Sequence, residues 1–188
     1  MFGKKIKVDT DAKTIDNFLN QGIENVFPNK DELRKRLLSG KPITIYLGID
    51  PTGPTLHMGH AIPLKKLGEL QKMGHKIILL IGDFTAMIGD PDKLSVRKPL
   101  TRAEVLSNCK LYKKQASMFL NFSGTNKAEL KFNSKWLAPM TFDDILKVSS
   151  KVTVDQILKR DMFQQRMKEN RPLYLHEFMY PVMQGYDS

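Results

Sequence analysis

"ITIYLGIDPTGPTLHMGH" occupies residues 43–60, and the change of pattern inside it decides the fold. Residues 43–49 are β-branched, aromatic and apolar, and too few for an ordinary helix, so they read as a strand. Asp50, Pro51, Gly53 and Pro54 break that pattern. From His57 apolar residues recur at helical spacing as far as Gly74, and "KIILLIG" at 76–82 is the continuous apolar run of a strand buried on both faces. Strand, helix and strand so close in sequence make a βαβ unit with a right-handed crossover. The expected class is α/β, an open parallel sheet with ligands beyond the carboxyl ends of its strands.

Outward from this unit, residues 10–40 predict two amphipathic helices, the second capped by Asn29 and stopped at Gly40. A capping box from Thr101 to Glu104 opens a helix expected to run to about Asn121. "AELKF" at 128–132 reads as a short strand, and further helices open at Thr141 and Thr153, the last ending before "ENRP" at 169–172. A final helix near 175–187 contains Pro181, which predicts a kink or a broken hydrogen bond. The sequence stops after Ser188 within this apolar helical segment, so a piece of a longer chain is expected.

The chain has 188 residues, 41% hydrophobic and 27% charged, as in an ordinary globular domain. Thirty Lys and Arg against 20 Asp and Glu give a net charge of +10, which favours a polyanionic partner such as a nucleotide or RNA. The single cysteine, Cys109, excludes an internal disulfide and a cysteine-built zinc site, and its apolar helical surroundings read as core. No apolar run reaches the length of a membrane span, which is about 18 residues, and no signal-peptide core follows the opening residues. A cytoplasmic location without membrane contact is the expectation.

His57 and His60 stand three apart, on one face of the first helical turn, where imidazoles can donate to phosphate oxygens. The positive end of the helix faces the same crevice. Gly59 between them has no side chain, which would let a base or ribose approach the backbone. Neither a Walker loop nor a dinucleotide fingerprint is present, and no third ligand of fixed spacing makes a metal site of the pair, so no structural metal is expected.

"YLGIDPTGPTLHMGH" at 46–60 resembles the first signature of class I aminoacyl-tRNA synthetases, the His-x-Gly-His motif, in its tyrosyl version. "LLIGDFTAMIGDP" at 79–91 and "HEFMYPVMQGYDS" at 176–188 resemble the second and third pocket segments of the same family, in the same order. The resemblance implies a Rossmann-like nucleotidyl transferase fold. Residues 1–40 would form an N-terminal helical segment, and 41–188 an incomplete first part of the catalytic domain with a helical insertion over about 122–172.

It also implies roles. Gly48, Asp50, His57, Gly59 and His60 would bind ATP, with His57, His60 and Thr52 acting in catalysis and Lys93 and Arg97 on the leaving pyrophosphate. Tyr46 and Asp187 would bracket the hydroxyl of L-tyrosine, while Asp90, Tyr180 and Gln184, with Thr85 beside them, would hold its ammonium group. A hydroxyl and a carboxylate suit a phenol, which both donates and accepts, and Asp90 offers an ammonium a charge-assisted bond. The implied reaction is formation of tyrosyl-adenylate from tyrosine and ATP with Mg²⁺, then transfer to tRNA, in a homodimer. The family's Lys-Met-Ser-Lys-Ser loop and anticodon-binding region are absent from these 188 residues, so little activity is expected of the chain alone.

Taken singly, each pocket residue also has an ordinary structural reading, Tyr180 as amphipathic core and Asp90 as a turn residue. Three rival functions stay open: a tryptophanyl synthetase, another nucleotidyl transferase with the same motif, and an RNA-binding module without catalysis. An indole only donates, so Tyr46 with Asp187 suits it less well.

Overall fold

The structure, a computed structural model, describes residues 6–88 and 100–188. In chain order its elements are α1 (Ala12–Asn20), α2 (Lys30–Leu38), β1 (Thr44–Ile49), α3 (Met58–Lys72), β2 (Lys76–Ile81), a 3-10 turn at Thr85–Met87, and α4 (Arg102–Asn108). There follow a 3-10 turn at Cys109–Leu111, α5 (Tyr112–Ala116), β3 (Glu129–Phe132), α6 (Ser134–Leu137), α7 (Phe142–Ser149), α8 (Val154–Leu158), α9 (Asp161–Lys168), a 3-10 turn at Leu175–Phe178, and α10 (Met179–Tyr186). Contacts divide the chain into two compact units. The first comprises the residues up to Ile49, Pro54–Leu80 and Lys110–Lys131; the second comprises Asp50–Gly53, Ile81–Cys109 and Phe132–Ser188.

The first unit holds the open parallel sheet, in the order β1-β2-β3. β2 is buried along most of its length, as its unbroken apolar run predicts, whereas β1 alternates and leaves Tyr46 and Gly48 on its more exposed face. α2 is capped by Asn29, whose side chain accepts from Glu32 N–H at 2.8 Å, and ends where Gly40 takes a φ of +69°. Asp31 and Glu32 lie in its first turn and Lys35 and Arg36 in its last, each opposite the sign of the helix end it faces. Arg34 grips Asp16 of α1 through two bonds of 2.6 and 3.0 Å. Lys66 of α3 donates to Phe18 O and Gln21 O at 3.0 and 2.9 Å, satisfying carbonyls at the end of α1.

The loop before β3 is fastened by one buried amide. Gln71 donates to Asn121 O and Asn126 O at 2.7 and 2.8 Å and accepts from Asn121 N–H at 2.8 Å, so its polar atoms are satisfied without water. Gly68 makes this approach possible: a Cβ there would strike the carbonyl oxygen of Phe119.

The second unit packs Ile157, Phe163 and Val182 into a core with Val148, Leu158, Phe178 and Met179 around them. Phe163 stacks on Phe178 with ring centroids 4.9 Å apart. Thr141 and Thr153 cap α7 and α8 as their sequence predicts, each in a reciprocal box with the residue three positions on. Arg166 is buried against Glu177 at 2.6 Å and also donates to Pro172 O.

Three expectations from the sequence need correction. The helix expected over 101–121 is interrupted after α4, where Asn108 turns its amide to Pro51 O at 2.9 Å. Cys109 is only partly buried rather than core. Pro181 does not kink a long helix, because α10 starts at Met179 and the proline falls in its first turn, where its missing N–H has no intrahelical acceptor to lose. Among the described residues no helix is long and apolar enough to cross a membrane.

Candidate active site

In the first unit the turn after β1 delivers the chain into α3 through a cap made of two histidines. His57 is the N-cap and accepts the Gly59 N–H on Nδ1 at 3.1 Å, while His60 accepts the His57 N–H on its own Nδ1 at 3.2 Å. The rings lie 3.9 Å apart. Each Nδ1 is therefore an acceptor, which puts the proton of each neutral imidazole on Nε2 and makes that atom the donor. The sequence pattern points to backbone N–H groups at this helix end as the anion site. In the structure two of those groups are taken by the histidines, and the imidazole Nε2 atoms supply donors in their place. The space over Gly59 is likewise filled by the His57 ring: a Cβ there would lie 2.9 Å from its Cε1.

Tyr46 and Gly48 share one face of β1, with the tyrosine ring over the glycine. Tyr46 also lines an open cleft of about 440 Å³ with Ile62, Pro63 and Lys66.

The second unit gathers four of the predicted residues into one hydrogen-bond network. Asp50 accepts from Thr85 Oγ1 on Oδ1 at 2.7 Å and from the Tyr180 hydroxyl on Oδ2 at 2.9 Å. Thr85 Oγ1 in turn accepts from Asn133 Nδ2 at 3.1 Å, and the same amide donates to Asp187 Oδ2 at 3.2 Å. Trp136 Nε1 donates to Asp187 Oδ1 at 2.8 Å, and Asn133 Oδ1 accepts the Phe84 N–H at 2.9 Å. Four of these six bonds end on one of two carboxylates, Asp50 and Asp187. Burial pushes the Asp187 carboxyl up from the usual carboxylate range, against the pull of the Trp136 and Asn133 bonds. A third carboxylate, Asp83, is buried and fixes the start of α6 by accepting from Ser134 N–H and Oγ at 2.9 and 2.6 Å.

Thr52 follows Asp50 in the same unit, its N–H on Asp50 O at 2.8 Å. Gln184 is exposed, its amide oxygen accepting from Arg160 at 3.0 Å, and is not part of the network. Asp90, Lys93 and Arg97 lie outside the described residues. Tyr46 and Asp187 belong to different units. Asn133 and Trp136 escaped the sequence reading, although "NSKW" follows the predicted strand at 128–132 and contains the one tryptophan of the chain. Ligand sites lie beyond such strand ends in open α/β sheets, and that was the available signal.

Known proteins resemble this chain in sequence and in structure. The chain is 42% identical to a tyrosine-tRNA ligase of Moorella thermoacetica over 191 aligned positions, covering all of this chain and 46% of that protein. It is 45% identical to the tyrosine-tRNA ligase of Carboxydothermus hydrogenoformans over 174 positions, covering 90% of this chain and 42% of that one. The chain thus spans less than half the length of these curated relatives. A C-terminally truncated mitochondrial tyrosyl-tRNA synthetase of Coccidioides posadasii superposes with a TM-score of 0.75 at 27% identity, over 94% of this chain and 53% of that one. The model of the family described as "tRNA synthetases class I (W and Y)" matches residues 38–188, most of the sequence, and the chain belongs to that family.

Proposed function

We propose that this chain carries the amino-acid pocket and part of the ATP site of a tyrosine-tRNA ligase. The observation that carries the reading is the network joining Tyr180, Asp50, Thr85, Asn133, Asp187 and Trp136. It offers a carboxylate at each end, one beside a tyrosine hydroxyl and one fed by two donors. An amino acid with an ammonium at one end and a phenol at the other complements that pair.

In this reading Asp187 accepts the substrate's phenolic proton. A pocket built to bond a hydroxyl rejects phenylalanine because its own polar groups would stay unpaired. That selectivity is the very example by which the principle is known, so it adds no independent weight. Tyr180 and Asp90 hold the ammonium. The tyrosine carboxylate then attacks the α-phosphorus of ATP and pyrophosphate leaves, its charge met by Lys93 and Arg97. His57 and His60 donate from Nε2 to the phosphoryl oxygens as negative charge gathers there, with Gly48, Thr52 and Gly59 lining the approach. Mg²⁺ is proposed to arrive on the ATP phosphates as part of the substrate. Transfer to tRNA follows, and a homodimer in the cytoplasm is the proposed setting.

Calorimetric titration with tyrosine, phenylalanine and tryptophan tests the reading. Binding of tyrosine alone, lost in Asp187→Ala, is the expected result. Tryptophan binding as tight as tyrosine would point to the sister specificity, and no binding of any of them would overturn the pocket assignment.

A further inference from the structure

The resemblance assigns Asp50 to ATP, yet both of its carboxylate oxygens face residues of the amino-acid pocket. Oδ1 takes the proton of Thr85 and Oδ2 that of Tyr180. We propose that Asp50 is a positioning residue for the ammonium group of the bound amino acid, acting through the Tyr180 hydroxyl, with Gly82 and Thr85 holding it in place. The proposal rests on the tyrosine reading given above.

The argument is one of hydrogen-bond polarity. A phenol can donate toward an incoming group or accept from it, and an ammonium can only donate. Tyr180 therefore helps an ammonium only if its own proton is committed elsewhere. Asp50 Oδ2, at 2.9 Å, is a pure acceptor and commits it. The carboxylate is aligned in turn by Thr85, whose Oγ1 accepts from Asn133 Nδ2 at 3.1 Å and so must spend its single proton on Asp50 Oδ1. The direction of every bond from Asn133 to Tyr180 is thus fixed, at Thr85 by the amide nitrogen, which can only donate, and at Tyr180 by the carboxylate, which can only accept.

Gly82 supplies the room. It is buried at the end of β2, and a Cβ there would collide with Asp50 Oδ1 and lie 3.0 Å from Asp50 Cγ, on the line of the Asp50–Thr85 bond. Any side chain at 82 must push the carboxylate off Thr85, and Tyr180 loses its acceptor with it.

Asp50→Asn inverts the polarity without changing shape. The Thr85 proton selects the amide oxygen, which leaves the NH₂ facing Tyr180; the phenol then accepts from it and turns its proton toward the ammonium. The test is titration of the chain with three probes: L-tyrosine, tyramine, which lacks the carboxylate, and 3-(4-hydroxyphenyl)propionic acid, which lacks the ammonium. Asp50→Asn is expected to weaken tyrosine and tyramine at least tenfold and to leave the ammonium-free acid within twofold. In a Tyr180→Phe background the same substitution is expected to leave the ratio between tyrosine and that acid unchanged. Thr85→Val, nearly isosteric, is expected to show the same pattern more weakly and serves if Asp50→Asn does not fold.

Equal weakening of all three probes, or no weakening, in a chain that binds tyrosine would overturn the role of Asp50 and leave the tyrosine reading standing. An undiminished effect in the Tyr180→Phe background would do the same. Failure of the unsubstituted chain to bind tyrosine would overturn that reading and this one together.

Discussion

Asn133 and Asp187 are joined by a 3.2 Å bond from Nδ2 to Oδ2, and the asparagine is wholly buried. Trp136 fills the other carboxylate oxygen at 2.8 Å. Two donors therefore orient a carboxyl that burial makes harder to ionise, and the two effects oppose each other with burial the larger.

A pH dependence follows from that balance. Asp187 must be ionised to accept a phenolic proton, and its raised pKa means that it protonates above the 3.8 of an ordinary aspartate as the solution is acidified. Tyrosine affinity is expected to fall as pH drops through that raised value, sooner than an exposed aspartate would dictate. Calorimetry across the acid range, repeated on Asp187→Asn, checks this: the substituted chain should bind weakly with no such dependence, and an identical slope in both would assign it elsewhere.

The pair Arg166 and Glu177 supports a different prediction. Both side chains are largely buried, 8% and 14% exposed, and joined at 2.6 Å. Burial alone would raise the Glu177 carboxyl, but the Arg166 bond and the Tyr174 N–H hold it below the ordinary value of 4.5. A depressed carboxyl contributes stability that is complete above the unfolded pKa and lost as pH falls through the folded one. Glu177→Gln strands a buried guanidinium and is expected to cost about 3–5 kcal/mol near neutrality. Urea unfolding should show that loss at pH 7 and a smaller one at low pH, where the wild-type pair is itself protonated.

How much of this was legible in the sequence depended on the distance over which each feature is encoded. The strands at 44–49 and 76–81 and the caps at Asn29, Thr101, Thr141 and Thr153 are written within a few neighbouring residues, and sequence finds them. Asp50, Thr85, Tyr180 and Asp187 were found through resemblance, since the Tyr180–Asp50 bond joins residues 130 apart and no local pattern encodes it. Asn133 and Trp136 belong to no signature, and their role exists only because the turn after β3 brings an amide and an indole to one carboxylate. Gln184 shows the converse: its motif is intact, yet Arg160, at the cap before α9, engages its amide.

His75 gives a stability prediction in the first unit. It is wholly buried, its Nδ1 faces Ile43 N–H at 3.4 Å, and its Nε2 has no hydrogen-bond partner among the described residues. Burial lowers its pKa from 6.5, so the unfolded chain takes up a proton that the folded one refuses. The folded state keeps its full margin above pH 6.5 and loses part of it as pH falls below that value toward the lowered pKa. His75→Gln, which cannot titrate, is expected to flatten this segment of the stability profile, and an unchanged slope would assign the proton to another group.

Gly59 separates stability from function. In Gly59→Ala the new Cβ would lie 2.9 and 3.1 Å from Cε1 and Nδ1 of His57, so the ring must swing off its cap. Losing an N-cap costs about 1 kcal/mol, and replacing glycine by alanine within a helix returns about the same. The melting temperature is therefore expected to change little. The Nε2 donor loses its direction, however, and ATP affinity in the presence of Mg²⁺ should fall at least tenfold if His57 binds phosphate. Melting curves and an ATP titration on the same preparation decide it. A stable chain that binds ATP as before would show that the histidines at 57 and 60 serve only to start α3.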